Sequence, residues 1–156
     1  MDRNEKLSEH FTLGELIKSE TAERKGIDNT PPAHLLPKLR RLCTEILEPI
    51  RIHYGKPFRP NSGYRSSELN KLVGGSQTSQ HSKAEAVDIE IAGVSNYDLA
   101  VWIVDNLAFD QVILEHYRQG EPTSGWVHVS LTGEGEANRA VALTYSNRIY
   151  TKGLVA

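Results

Sequence analysis

Ser79-Gln80-His81-Ser82-Lys83-Ala84-Glu85-Ala86-Val87-Asp88-Ile89-Glu90 sets an imidazole and a carboxylate seven positions apart. The approach to His81 is polar and rich in Gly and Ser (Gly74-Gly75-Ser76-Gln77-Thr78). After it, Val87, Ile89 and Ile91 alternate with Asp88 and Glu90. That change of pattern predicts a loop carrying His81, then a strand with Asp88 on one face and Val and Ile on the other. Further on, Trp126-Val127-His128-Val129-Ser130-Leu131 alternates in the same way, with His128 and Ser130 opposite Val127, Val129 and Leu131. Paired in one sheet, the two strands bring His81, Asp88 and His128 together. Two imidazoles, one carboxylate and an open fourth position make a catalytic zinc site. Spacing alone is a weak signal, because a histidine beside an apolar strand is ordinarily a packed or surface residue and H-x6-D is far less specific than CxxC or HExxH.

Outward from this core the chain reads as helices first and strands afterwards. Residues 1–32 form a lead-in and a short helix, where Thr12 and Glu15 make a capping box and Leu13, Leu16 and Ile17 give an apolar face. Gly26 ends the next turn. From Ala33 to Tyr54, apolar residues recur at three and four (Leu35, Leu36, Leu39, Leu42, Ile46, Leu47, Ile50), the clearest helix in the chain, with Pro49 as its kink. Phe58 to Ser62 reads as a short strand, and Ser66 to Val73 as a short helix capped by Ser67. Ser95 caps a helix faced by Leu99, Trp102, Ile103 and Leu107. Asp110 to Leu114 is a strand from whose end Glu115 emerges beside His116. Residues 133–136 are a turn, and Ala140 to Tyr145 a last strand. No linker divides the chain, so residues 1–156 are expected to form one α+β domain, an antiparallel sheet with helices packed on one face.

The ordered motifs Ser62-Gly63-Tyr64-Arg65-Ser66, Ser79-Gln80-His81, Ala86-Val87-Asp88 and Trp126-Val127-His128-Val129-Ser130 resemble those of the M15 family. These are zinc D-Ala-D-Ala carboxypeptidases and peptidoglycan endopeptidases, including phage lysins. The resemblance runs from about Phe11 to Leu131. The phage branch also resembles the opening, Phe11-Thr12-Leu13-Gly14-Glu15-Leu16 and then Gly26-Ile27-Asp28-Asn29. The Hedgehog signalling domain, which has the same zinc fold, is similar at His81 to Asp88, at Phe109-Asp110-Gln111-Val112-Ile113-Leu114-Glu115 and at His128-Val129-Ser130. The resemblance implies a Hedgehog/DD-peptidase-like fold, Zn2+ held by His81, Asp88 and His128, and the stem peptide of peptidoglycan as substrate.

Such an enzyme needs a carboxylate to carry a proton and a cation to hold the substrate's charge. Many M15 enzymes place an acidic residue three before the second histidine, where this chain has Gly125. Glu115 takes that role instead, following Phe109-Asp110 as in Hedgehog and leaving a strand beside that of His128. Glu90 is the runner-up, on the Asp88 face, and Glu85 faces away in an extended run. His116 is an outsider, which alternation turns away from Glu115. Arg65 either clamps a substrate carboxylate or ties the loop to the sheet. Ser79 orients a ligand, contacts substrate or caps its turn. Tyr64 and Trp126 either wall the substrate cleft or pack in the core. Ala84 stands where the family usually has Gly, tolerable unless φ is positive.

Bulk properties exclude several classes. Eighteen basic and 20 acidic residues, net −2 and without long runs of one sign, do not suit nucleic acid or an anionic membrane. No apolar run approaches the ~20 residues of a membrane span. The single cysteine, Cys43, sits in an apolar helical stretch and rules out a disulfide framework. The polar start lacks a signal peptide's apolar core, so a monomer made in the cytoplasm is expected, reaching the cell wall after release or as part of a virion. The competing reading is a non-catalytic zinc-fold module or virion structural protein that binds cell-wall peptides.

Overall fold

The computed structural model describes every residue except Glu134. The turn expected over residues 133–136 includes that position, so it lies in part outside the described residues. The chain is α+β, as its pattern predicts. Helices α1 (Leu13–Ile17) and α2 (Glu20–Lys25) come first. The Thr12–Glu15 capping box is present in full, and Gly26 closes α2 in the left-handed conformation. The predicted long helix is one rod in four segments, a 3₁₀ turn (Ala33–Leu35), α3 (Leu36–Leu42), a π-helical turn (Cys43–Leu47) and α4 (Glu48–Tyr54). Pro49 explains the π turn. In an uninterrupted α-helix its ring would strike the Glu45 carbonyl. Widening to i→i−5 bonding, seen in Glu48 N–H to the Cys43 carbonyl, carries the rod past it.

Helix α5 (Ser67–Leu72) is capped by the Ser66 hydroxyl, which accepts from Leu69 N–H at 3.2 Å, one residue earlier than expected. Residues 58–62 do not form a full strand. Pro60 has no N–H to donate, and the stretch makes a single bridge, Ser62 to Asp88. Helix α6 (Asn96–Asn106) begins after the Ser95 cap.

The sheet contains β1 (Ala86–Ile89), β2 (Gln111–Glu115), β3 (Trp126–Ser130), β4 (Val141–Ser146) and β5 (Ile149–Lys152), in the order β1-β3-β2-β4-β5. It is mixed, which corrects the expectation of an antiparallel sheet, since β2 and β4 run parallel. The reason is topological. One edge of β3 is already taken by β1 and the other by β2, so the chain leaving β3 must pass over the end of β2. Starting from that same end, β4 runs against β3 and therefore with β2.

Val87, Ile89, Val112, Leu114, Val127 and Val129 share one core with Leu39, Leu42, Ile46 and Ile50 of the rod and Leu99 and Ile103 of α6. Each such fully buried side chain contributes about 1.5–3 kcal/mol of hydrophobic stabilisation. Phe11, Leu13 and Leu16 join this core, so the lead-in is packed structure. The other sheet face carries the polar residues, and the strand register sorts them into rows. Asp88 lies opposite His128, and His128 opposite Ile113. One pleat along, Trp126, Glu115, Tyr145 and Tyr150 form a second row across four strands. Directly opposed side chains on one face lie about 5 Å apart, so register alone makes these residues neighbours.

Candidate functional site

The first row and the loop before β1 build a compact cluster. His81, Asp88 and His128 each offer a ligand atom, all within 4.8 Å of one another. His81 Nε2 lies 3.3 Å from Asp88 Oδ2, and His128 Nδ1 lies 3.0 Å from Asp88 Oδ1. The outer ring nitrogens face carbonyls, His81 Nδ1 the backbone oxygen of Gly63 at 2.8 Å and His128 Nε2 the side-chain oxygen of Gln80 at 3.0 Å. Every ring nitrogen thus faces an acceptor, while a neutral imidazole has only one N–H. With the outer nitrogens donating outward, the inner lone pairs and the Asp88 carboxylate converge on one point, which is the donor arrangement a metal ion requires. Burial pushes the Asp88 carboxyl up, but ring protons turned inward from His128 and His81 in the metal-free site outweigh it and hold the group well below the usual carboxylate range, and a bound metal would take the place of those inward protons. Both imidazoles are buried, His81 only 3% exposed, and Asp88 is half-buried.

Around it opens a cleft of about 1010 Å³, whose walls include Arg65, Ser79, Glu115, His116, Trp126 and Tyr150. Glu115 accepts from Trp126 Nε1 at 2.8 Å through Oε2. Burial and the Asp88 charge push its carboxyl up, against the pull of His128, Trp126 and His116. Arg65 lowers into the wall with its Nε buried and unpartnered among the described residues. Burial shifts its guanidinium down, opposed by Asp88 and Glu115. Ser79 lines the cleft, and its hydroxyl also accepts from His81 N–H at 3.2 Å, so it caps the ligand loop.

Other expected residues stand elsewhere. Tyr64 is 6% exposed, packs in the core and does not line the cleft. Its backbone N–H donates to the Leu16 carbonyl at 2.7 Å. Glu90 also stays out of the cleft, bound by Asn61 Nδ2 at 2.6 Å. Glu85 reaches the cleft rim but pairs with Lys38 at 2.6 Å. His116 is not turned away as alternation predicts. The strand breaks there at φ 57°, which swings the ring back between Trp126 and Tyr145, at centroid distances of 5.0 and 5.4 Å. Ala84 has φ 57°, the left-handed region that Gly enters freely, at a cost of about 1 kcal/mol for a residue with Cβ.

Sequence reasoning missed Gln80, Asp110, Tyr145 and Tyr150. The Ile149-Tyr150-Thr151-Lys152 alternation after a polar Ser146-Asn147-Arg148 turn was the available signal for the last of these.

Fold and cluster define an α+β structure with a His–Asp–His set that could hold a metal ion in the wall of a cleft. A family model described as Peptidase M15 matches residues 9–130, and the chain belongs to that family. M15 peptidases are zinc-dependent metallopeptidases, and His81, Asp88 and His128 are the residues here able to hold the ion. No curated protein matches the chain. No helix among the described residues is long and apolar enough to cross a membrane.

Proposed function

We propose that the protein is a zinc peptidase that hydrolyses peptide bonds of bacterial peptidoglycan, as a D-Ala-D-Ala carboxypeptidase or an endolysin-type endopeptidase. The observation that carries this reading is the adjacency of two rows on one sheet face, the ligand row Asp88–His128 and the row that holds Glu115. Zinc bound by His81, Asp88 and His128 supplies a Lewis acid that polarises the scissile carbonyl and acidifies water. Glu115 takes the proton of the attacking water on its carboxylate and passes it to the leaving amine. Its Oε2 is held by Trp126, and Oε1 has no protein partner among the described residues, which leaves it for the water. The raised Glu115 carboxyl suits a group that must hold that proton before releasing it. Arg65, with an unpaired guanidinium nitrogen, holds a substrate carboxylate or carbonyl. Ser79 and Trp126 line the cleft and would contact the substrate there. The Hedgehog-like Phe109-Asp110-Gln111-Val112-Ile113-Leu114-Glu115 pattern supports the choice of Glu115.

The test is turnover of purified peptidoglycan stem peptides by the zinc-loaded protein, followed by mass spectrometry of the products. A single cleaved amide, lost on chelation and restored by zinc, is expected. A protein that binds zinc and these peptides yet leaves them intact over hours defeats the enzyme reading and supports the binding module.

A further inference from the structure

Gln80 and Asp110, we infer, are positioning residues that present Nδ1 of His128 to the metal by fixing the proton on its Nε2. This inference rests on the metal site proposed above and concerns residues outside the ligand set. Asp110 is 1% exposed and immediately precedes β2. Its Oδ1 accepts from the Arg139 backbone N–H at 2.8 Å and Nε at 3.0 Å, and its Oδ2 from Arg139 Nη2 at 2.7 Å. An ionised carboxylate so held can only accept. Gln80 must therefore turn its amide nitrogen to Asp110, and Nε2 stands 3.3 Å from Oδ2.

The amide is planar, so this choice points Gln80 Oε1 the other way, to His128 Nε2 at 3.0 Å. A carbonyl oxygen also only accepts, so Nε2 of His128 must carry the ring proton. The Nδ1 lone pair is then free and directed into the ligand cluster. His81 reaches the mirror outcome by a backbone carbonyl, that of Gly63, and coordinates through Nε2. His128 depends on a side-chain relay that is four residues long, Arg139–Asp110–Gln80–His128. Its outer end, Arg139, lies beyond the residues matched by the family model.

The inference has a specific consequence for Asp110→Asn. The Arg139 backbone N–H and Nε keep the side-chain oxygen of the new amide at the Oδ1 position, so its nitrogen takes the Oδ2 position, gives up the Nη2 pairing and faces Gln80. Gln80 then turns over and donates to His128 Nε2, which forces the ring proton onto Nδ1, where it opposes the metal. Gln80→Leu removes the acceptor without touching the Arg139 pairing, so it serves where Asp110→Asn folds poorly.

The experiment is a chelator-competition titration of zinc on the full chain for wild type, Asp110→Asn and Gln80→Leu. Thermal unfolding of the metal-free proteins controls for folding, and ¹⁵N spectra of the zinc-loaded wild type read the His128 ring. The expected result is a zinc Kd weakened about 10–100-fold in the variants, with zinc on Nδ1 and the proton on Nε2 of His128 in the wild type. Wild-type affinity in the variants, or zinc on His128 Nε2, overturns the inference alone. A wild type that takes up no zinc overturns it together with the metal reading.

Discussion

Gly125 decides where a proton carrier can stand. It has φ 67°, and a Cβ there would lie 1.9 Å from the Glu115 carbonyl oxygen. An acidic residue three before His128, common in the family, cannot be housed on this backbone. The same close approach sets the Glu115 backbone against the loop that enters β3. Glu115→Gln is expected to keep zinc and fold and to lower kcat by ~10²-fold or more. The sign of its pH effect follows from the raised carboxyl. A base acts only when ionised, so activity falls as pH drops through a value above the ordinary carboxylate range of about 4.3. For stability, a raised folded pKa costs nothing below the unfolded value and penalises the fold as pH rises through the folded one. Metal-free Glu115→Gln should therefore match wild type in Tm at pH 4 and exceed it at pH 8. A Tm difference independent of pH would show that the strain on Glu115 is not electrostatic.

At the scale of elements, the β4–β5 hairpin is the part that the sequence reading did not find. Its turn, Asn147-Arg148, has φ of 51° and 63°, the left-handed pair of a two-residue hairpin. Asn-Gly would have announced that turn, whereas Arg at the second position hides it. The hairpin follows the family-matched residues and delivers Tyr150 to the cleft, 59% exposed and packed at a tilt against Tyr145 with ring centroids 4.4 Å apart. Register places it in the row of Glu115, which under the proposed function makes it a candidate substrate contact. Tyr150→Ala is expected to raise KM for peptidoglycan fragments about 2–10-fold, the size of one aromatic contact at roughly 0.5–1.5 kcal/mol. Zinc content and kcat should stay unchanged. An unchanged KM on short and long fragments alike would remove the hairpin from substrate recognition. The π turn is the opposite case, since periodicity gave the rod and Pro49 the place of its irregularity, and only the form of that irregularity needed coordinates.

Across the whole molecule, what was legible is what depends on local pattern. Alternation put Asp88 and His128 on polar strand faces, and motif order tied them to His81. The motifs suggested that the strands of Asp88, His128 and Glu115 are neighbours, but contacts made beyond those motifs were not legible, such as the parallel β2–β4 ladder or the Asp110–Arg139 pairing across 29 residues. The left-handed turn at His116 also defeats alternation, because one positive φ reverses the face of the residue. The ligand set would tie the loop carrying His81 to the β1–β3 pair, which the sheet and the core already hold together. Metal binding is therefore coupled to global folding. At free zinc 100-fold above its Kd, binding only to the folded state adds about 2.7 kcal/mol. For a chain of this size each kcal/mol moves Tm by about 2–4 °C, so zinc should raise Tm by roughly 5–10 °C over chelated protein. His81→Ala, Asp88→Ala and His128→Ala should each unfold at one temperature with or without zinc, read by circular dichroism in both conditions. A full zinc shift retained in His128→Ala would mean that the ion binds elsewhere, and the two rows of the sheet would then have to be read as a polar surface without its metal.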